Sequence, residues 1–368
     1  MTYGKVFDDM NQARVTFAKS VGFKKELNRR VENYFNSNQI KPRDNLAMYF
    51  KTAIILGWLL SAWSITVFAP LPLGARVIGC MVVGLALGGV GMSIGHDANH
   101  GGYSSNHRVN RAIGLLYDVI GLSSYLWRFR HNFLHHTYTN MLGHDVEIHG
   151  DGLVRMSPTM EHKWYHRFQH LFVWFIYPII PFYWSYGDIK LGFFDRQYHT
   201  HKIPKLSVSE SITLVGLKLL GMAWLIGVPI YVGYSPLEAI LGYLIAYMTY
   251  GFVICIIFML AHVLEPAEFI EPDPDSNSIS DEWAILQVKT TVDFAPHNHI
   301  LNWYVGGLNY QVIHHLFPHV CHIHYPKLAP IVADVCREFG VKYNVYDSFG
   351  GAIAANYNWL KAMGQQAS

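Results

Sequence analysis

Apolar residues gather into four long runs, at about 52–71, 77–95, 211–233 and 239–261, each close to the ~20 residues that a bilayer-crossing helix needs. The first two are joined by the short, breaker-rich link Pro70-Leu71-Pro72-Leu73-Gly74-Ala75-Arg76, the last two through Tyr234-Ser235-Pro236. That spacing predicts two helical hairpins. Lys218 falls inside the third run, where its charge is costly unless it pairs or snorkels. A fifth apolar stretch, 168–186, is interrupted by Pro178 and Pro181 and is rich in Trp and Tyr, a composition suited to the membrane interface. The segments 96–210 and 262–368 are mostly polar, and 265–282, acidic and proline-bearing, reads as a loop.

Composition supports one membrane-embedded unit over 1–368: 51% of residues are hydrophobic and 15% charged, which disfavours the two soluble domains the length would allow. Within it, 1–50 is a basic N-terminal region, 52–95 the first hairpin, 96–210 a polar region, 211–261 the second hairpin and 262–368 a second polar region. A net charge of +2 selects no polyanionic partner, so no nucleic acid is expected. Residues 1–51 nevertheless carry ten Lys and Arg, among them Lys24, Lys25, Arg29 and Arg30, directly before the first run. Basic flanks stay on the cytoplasmic side, which places both termini there if four spans follow. The cysteines Cys80, Cys255, Cys321 and Cys336 form no Cys-x-x-Cys, so neither a disulfide framework nor a thiolate metal site is indicated. The first 46 residues are too polar for a cleavable signal peptide.

The chain has 21 histidines and none before residue 96, where the second run ends. They cluster as His96-Asp97-Ala98-Asn99-His100, His131-Asn132-Phe133-Leu134-His135-His136 and Gln311-Val312-Ile313-His314-His315. On a helix, His96 and His100 share a face, as do His131 and His135, with His136 beside them. Imidazole suits iron, copper, zinc and nickel. Seven histidines exceed what one ion can use, so two metals sharing about eight nitrogen ligands is the economical reading. Glu-x-x-His and His-Glu-x-x-His are both absent, which argues against a carboxylate-bridged bundle and a zinc protease. If the three clusters serve one site, they share one side of the membrane, and an even number of crossings separates them. The third and fourth runs supply two, so 168–186 should not cross.

These residues resemble the membrane fatty acid desaturase family, over about 45–340. The likeness rests on the three clusters, on Thr137-Tyr138-Thr139-Asn140, on Gly143-His144-Asp145, and on Asn302-Trp303-Tyr304-Val305-Gly306-Gly307-Leu308-Asn309-Tyr310 leading into the third cluster. Gln311, where other branches have His, resembles the front-end and bacterial linoleoyl-CoA desaturase-like branch. The resemblance implies an all-α integral membrane fold with four transmembrane helices in two hairpins and a cytoplasmic helical cap holding a histidine-rich di-iron site. It implies a bacterial inner membrane with the active site on the cytoplasmic side. It adds His262 as a ligand to His96, His100, His131, His135, His136, His314 and His315. Gln311 is a weak ligand or holds a water nearby; Asp97, His144 and Asp145 either orient the ligating imidazoles or are ordinary solvated loop residues. His107, His149, His162, His166 and His170 read as surface or interface residues, and His297, His299, His319, His322 and His324 are left unassigned.

The implied activity is insertion of a cis double bond, of the Δ5 or Δ6 front-end type, into an acyl chain, with two iron ions, O2 and two electrons. Removing hydrogen from unactivated methylenes is beyond side-chain chemistry and belongs to a metal cofactor. The acyl carrier is left open between CoA, carrier protein and lipid. The chain contains no His-Pro-Gly-Gly haem motif, so electrons are expected from a separate donor such as cytochrome b5 or ferredoxin. Two rivals stand beside this: a hydroxylase or acetylenase on the same scaffold, and a membrane metal-binding or transport protein. Transport is disfavoured because its ligands should lie within the spans, near the midplane.

Overall fold

The structure is a computed structural model and describes residues 15–148, 150–198, 201–203 and 205–365. His149 and the first fourteen residues of the basic segment lie outside them. Four helices are long and apolar enough to cross a membrane: Leu46–Phe68, Leu73–His100, Val208–Tyr231 and Pro236–His262. Local chemistry sets their starts. Asn45 caps the first span by accepting the Ala47 N–H at 2.8 Å. Ser207 with Glu210, and Ser235 with Glu238, form reciprocal capping boxes on the third and fourth. The first and third spans turn apolar residues outward, Phe50, Ile54 and Ile65 on one and Ile212 and Leu219 on the other.

The second and fourth spans are the central pair. Between them a cluster including Val83, Leu87, Val90, Ala246, Tyr247 and Tyr250 forms a core. Both spans run longer than their apolar composition predicts, and each ends on a histidine: His100 and His262. The second span changes to π-helix over Val90–Gly95. There Gly95 has no alternative, because a Cβ would lie 2.4 Å from the Tyr117 ring. The string Gly91-Met92-Ser93-Ile94-Gly95 matches a nucleophile elbow in spelling only: it is helical, and the Ser93 hydroxyl donates to the Tyr304 carbonyl at 3.0 Å.

The stretch expected at the interface is a broken helical run, Gln169–Ile176, Tyr177–Ile179 and Ile180–Lys190, packed on the fourth span. Leu171, Phe175, Ile179, Tyr183 and Tyr186 recur every three or four residues and are exposed, while Val173, Tyr177 and Asp188 face inward. Lys218, the costly charge of the third span, reaches this run: its ammonium lies 3.1 Å from Asp188 Oδ2 and 3.1 Å from Ser185 Oγ, and donates to the Gly121 carbonyl. The cation is paired, as a buried Lys must be.

A helical cap covers the histidine end of the spans. Phe23–Ser37 lays Phe23, Leu27, Val31 and Phe35, one every fourth residue, on Trp283–Lys289, Gln311–Leu316 and Tyr325–Glu338. Part of the basic segment, Phe23–Ser37, is therefore a packed helix, and Lys24 turns back to donate to the Leu316 carbonyl at 2.7 Å.

Candidate metal centre

Each histidine cluster is carried by a different kind of local structure. His96 and His100 occupy the last turn of the second span, which ends at Gly101 in the left-handed region, φ 75°. His131 and His135 lie on a π-helical stretch, Arg128–His135, that continues into His136–Tyr138. An α-helical face joins residues four apart; a π-turn also brings residues five apart together. His131 Nε2 and His136 Nε2 accordingly come within 3.3 Å, which puts His136 beside His131 as its position in the cluster leads one to expect. His314 and His315 follow Gln311 on a short helix, Gln311–Leu316, whose approach past the second span depends on Gly306. Gly306 has φ 65°, and a Cβ there would lie 2.5 Å from the Met92 carbonyl.

Folding brings all eight expected histidines together. The ligand atoms of His96, His100, His131 and His314 lie within 4.8 Å of one another, as do those of His135, His262 and His315, and those of His136, His314 and His315. His262 thus arrives from the end of the fourth span. Gln311 Nε2 sits 2.8 Å from His262 Nε2, so the amide is inside the same cluster. Burial pushes the imidazoles of His131, His136, His314 and His315 well below their ordinary pKa, which keeps them neutral with lone pairs free. Burial acts on His135 in the same sense, but the Asp145 carboxylate, 2.8 Å from Nδ1, lifts this one above the ordinary value. The Nε2 atoms of His100, His135, His314 and His315 are buried and have no hydrogen-bond partner among the described residues. Four orphaned, converging imidazole nitrogens have the chemistry of metal ligands and fit a pair of ions that favour nitrogen donors.

Of the residues expected to orient these rings, Asp145 alone does so. Asp97 faces the other way: its Oδ2 is 2.8 Å from His322 Nδ1 and accepts the His322 N–H at 3.2 Å. Adjacency to His96 in sequence misleads here, because successive helical residues point to different faces. His144 lies beside Tyr138 and His201 in tilted contacts, at centroid distances of 5.2 and 6.1 Å. His166 and His170, read as surface or interface residues, are buried; His107 is exposed. Asp97, Cys321 and His322 form a further compact group. Lys51 Nζ lies 2.7 Å from His322 Nε2, on the ring nitrogen opposite the one that meets Asp97.

Sequence reasoning missed several neighbours. Gln287, on Trp283–Lys289, places Oε1 2.9 Å from His315 Nδ1 and 2.8 Å from Thr139 Oγ1. Trp127 stacks on His131 at 4.3 Å and 20°, and meets His96 and His100 edge-on. Tyr325 brings its hydroxyl to 3.4 Å from His314 Nδ1. Trp127, one turn before His131, was within reach of helical spacing; Gln287 belongs to no motif and carries no local signal.

The model of the fatty acid desaturase family matches residues 72–347. Among curated proteins the chain is 62% identical over 351 residues to the sn-1 linoleoyl-lipid 6-desaturase of Arthrospira platensis, covering 95% of both. It is 54% identical to the sn-1 linoleoyl-lipid 6-desaturase of Synechocystis sp., covering 96% of this chain and 98% of the relative. An acyl-lipid (8-3)-desaturase of Physcomitrium patens is 31% identical, over 94% of this chain and 72% of the relative.

Proposed function

We propose, from the premise that this chain belongs to the fatty acid desaturase family, that it inserts a double bond at carbon 6 of a linoleoyl chain held in a membrane lipid. The family makes it an integral-membrane oxidoreductase; position and substrate follow the names of its two most similar relatives reported above. The observation that carries the reading is the convergence of eight histidines at the ends of two spans, where an acyl chain can arrive from the bilayer.

The proposed ligands are His96, His100, His131, His135, His136, His262, His314 and His315, holding two irons. Bound there, the irons would supply the O2-dependent oxidising power that removes two hydrogens from adjacent methylenes, with two electrons and two protons completing reduction of O2 to water. The chain's own residues supply the rest. Neutral imidazoles present the lone pairs. Asp145 holds Nδ1 of His135, and Gln287 holds Nδ1 of His315, so that both rings keep Nε2 toward the cluster. Gln311 stays beside His262 as a ligand or as a partner of one. Trp127 and Tyr117 wall the cluster on the second-span side. The cap and both termini face the cytoplasm of a bacterial inner membrane, and a donor of the cytochrome b5 or ferredoxin type delivers the electrons there.

The test is expression in a host whose lipids carry linoleoyl chains without a bond at carbon 6. A new double bond at carbon 6, located by mass spectrometry of lipid-bound chains, supports the reading. A hydroxylated chain, or a bond at carbon 5, overturns it.

A further inference from the structure

Three carboxylates approach the histidine cluster, and they are compensated differently. Glu147 lies 2.6 Å from the Arg130 guanidinium and 3.9 Å from His131 Nδ1, too far to hydrogen-bond that ring. Asp97 is paired with His322, and Lys51 touches the opposite nitrogen of the same imidazole. Asp145 is the exception. Its side chain is fully buried. Oδ2 accepts from His135 Nδ1 at 2.8 Å and from the Asn140 N–H at 2.9 Å, and Oδ1 accepts the Glu147 N–H at 2.9 Å. Among the described residues no Lys or Arg pairs with it.

A buried carboxylate without a cation is costly. Its one side-chain partner among the described residues, His135, groups its ligand atom with those of His262 and His315 and not with the four imidazoles of His96, His100, His131 and His314. The four-imidazole group has near it, among the described residues, Glu147, which Arg130 balances, and Asp97, which pairs with His322, the ring that Lys51 touches.

We propose that Asp145 is a positioning residue that makes the two metal positions chemically unequal: its charge, passed through His135, compensates the ion held by His135, His262 and His315 alone. Gln287 is the neutral counterpart on the same position, holding His315 without adding charge. The inference rests on the two-metal reading above and is tested on metal binding, apart from turnover.

The experiment is anaerobic titration of metal-stripped full-length protein in detergent with Co(II), followed by visible absorption, then Mössbauer spectroscopy after loading with ⁵⁷Fe(II). The wild type should take up two Co(II) per chain. Asp145→Asn should keep one at wild-type affinity and weaken the other by about 10- to 100-fold, the usual scale for losing an outer partner of a ligating His; only one of two iron doublets should shift. Gln287→Glu, nearly isosteric, puts a carboxylate on His315 of the same position. It should tighten that ion selectively, and in the Asp145→Asn background restore at least tenfold of the lost affinity. Should Asp145→Asn fail to fold, Gln287→Glu alone decides: no selective tightening overturns the inference. Two ions in the wild type, with Asp145→Asn weakening both alike or neither, also overturns it. Fewer than two Co(II) in the wild type would instead defeat the two-metal reading itself.

Discussion

At the scale of single residues, the cluster's neutrality is the feature from which function follows. Burial strips His314 and His315 of protons, and their Nε2 lone pairs have no partner among the described residues. Replacing any of His96, His100, His131, His135, His136, His262, His314 or His315 by Ala should abolish product while the protein still inserts, with iron per chain falling together with activity. His107→Ala should keep most activity, since His107 is exposed. Assays at matched protein levels check both, and full activity in His136→Ala would defeat the ligand set. A second residue speaks through pH. Asp293 is buried beneath the third histidine cluster, where it accepts the Val312 N–H at 2.8 Å and the Tyr343 hydroxyl. Burial pushes its carboxyl up to about 7. A raised acid pKa means that the folded state keeps a proton the unfolded state has released. Stability from this group is therefore full below about 4, the ordinary carboxyl value, and is lost as pH climbs to about 7. Melting curves from pH 5 to 7 should show the wild type losing stability, by up to roughly 1 kcal/mol per pH unit, and Asp293→Asn losing less.

Between elements, paired charges hold the spans to the interfacial run. Lys218 and Asp188 join the third span to Ile180–Lys190, and both are almost fully buried. Removing one partner strands the other: Lys218→Met should destabilise by about 3–5 kcal/mol, the scale for breaking a buried pair. Lys218→Met with Asp188→Asn should recover part of that loss, read as thermal stability in detergent. Equal losses in the single and double variants would show that the contact contributes shape and not charge. The element scale also explains why span ends differ from hydropathy alone. The first span begins at Leu46, before Lys51, because His322 and the Trp303 ring receive that ammonium inside the fold. The second ends at His100 because the histidines continue its helix.

Across the whole molecule, the decisive fact is that residues 96–136 meet residues 311–315 although two spans intervene. That requires an even number of crossings between them if all serve one site, and the exposed apolar stripe of the run 169–190 suits a segment that lies along the membrane. Cysteines introduced at Ser105 and His319 should be labelled from one side of the membrane, and one at Tyr231, 90% exposed between the third and fourth spans, from the other. Labelling of Ser105→Cys and His319→Cys from opposite sides would refute this topology.

Much of this was legible in the chain. Apolar runs, breakers and capping pairs are local, so sequence alone determined four spans and their order. The absence of histidine before residue 96, with three clusters after it, pointed to a metal centre. Tertiary structure decided the partners. Asp97 and Asp145 both lie close in sequence to histidines, yet Asp97 serves His322 and Asp145 serves His135. Gln287 meets His315 and Thr139 across 28 and 148 residues, in a motif of its own for neither. Spacing put His136 beside His131, but that a π-helical turn brings them together was decided by the fold. The reason is physical: hydropathy and helix capping act over a few residues, whereas the facing of a side chain and the identity of its buried partner are settled only when distant segments pack and every polar atom between them must find a bond.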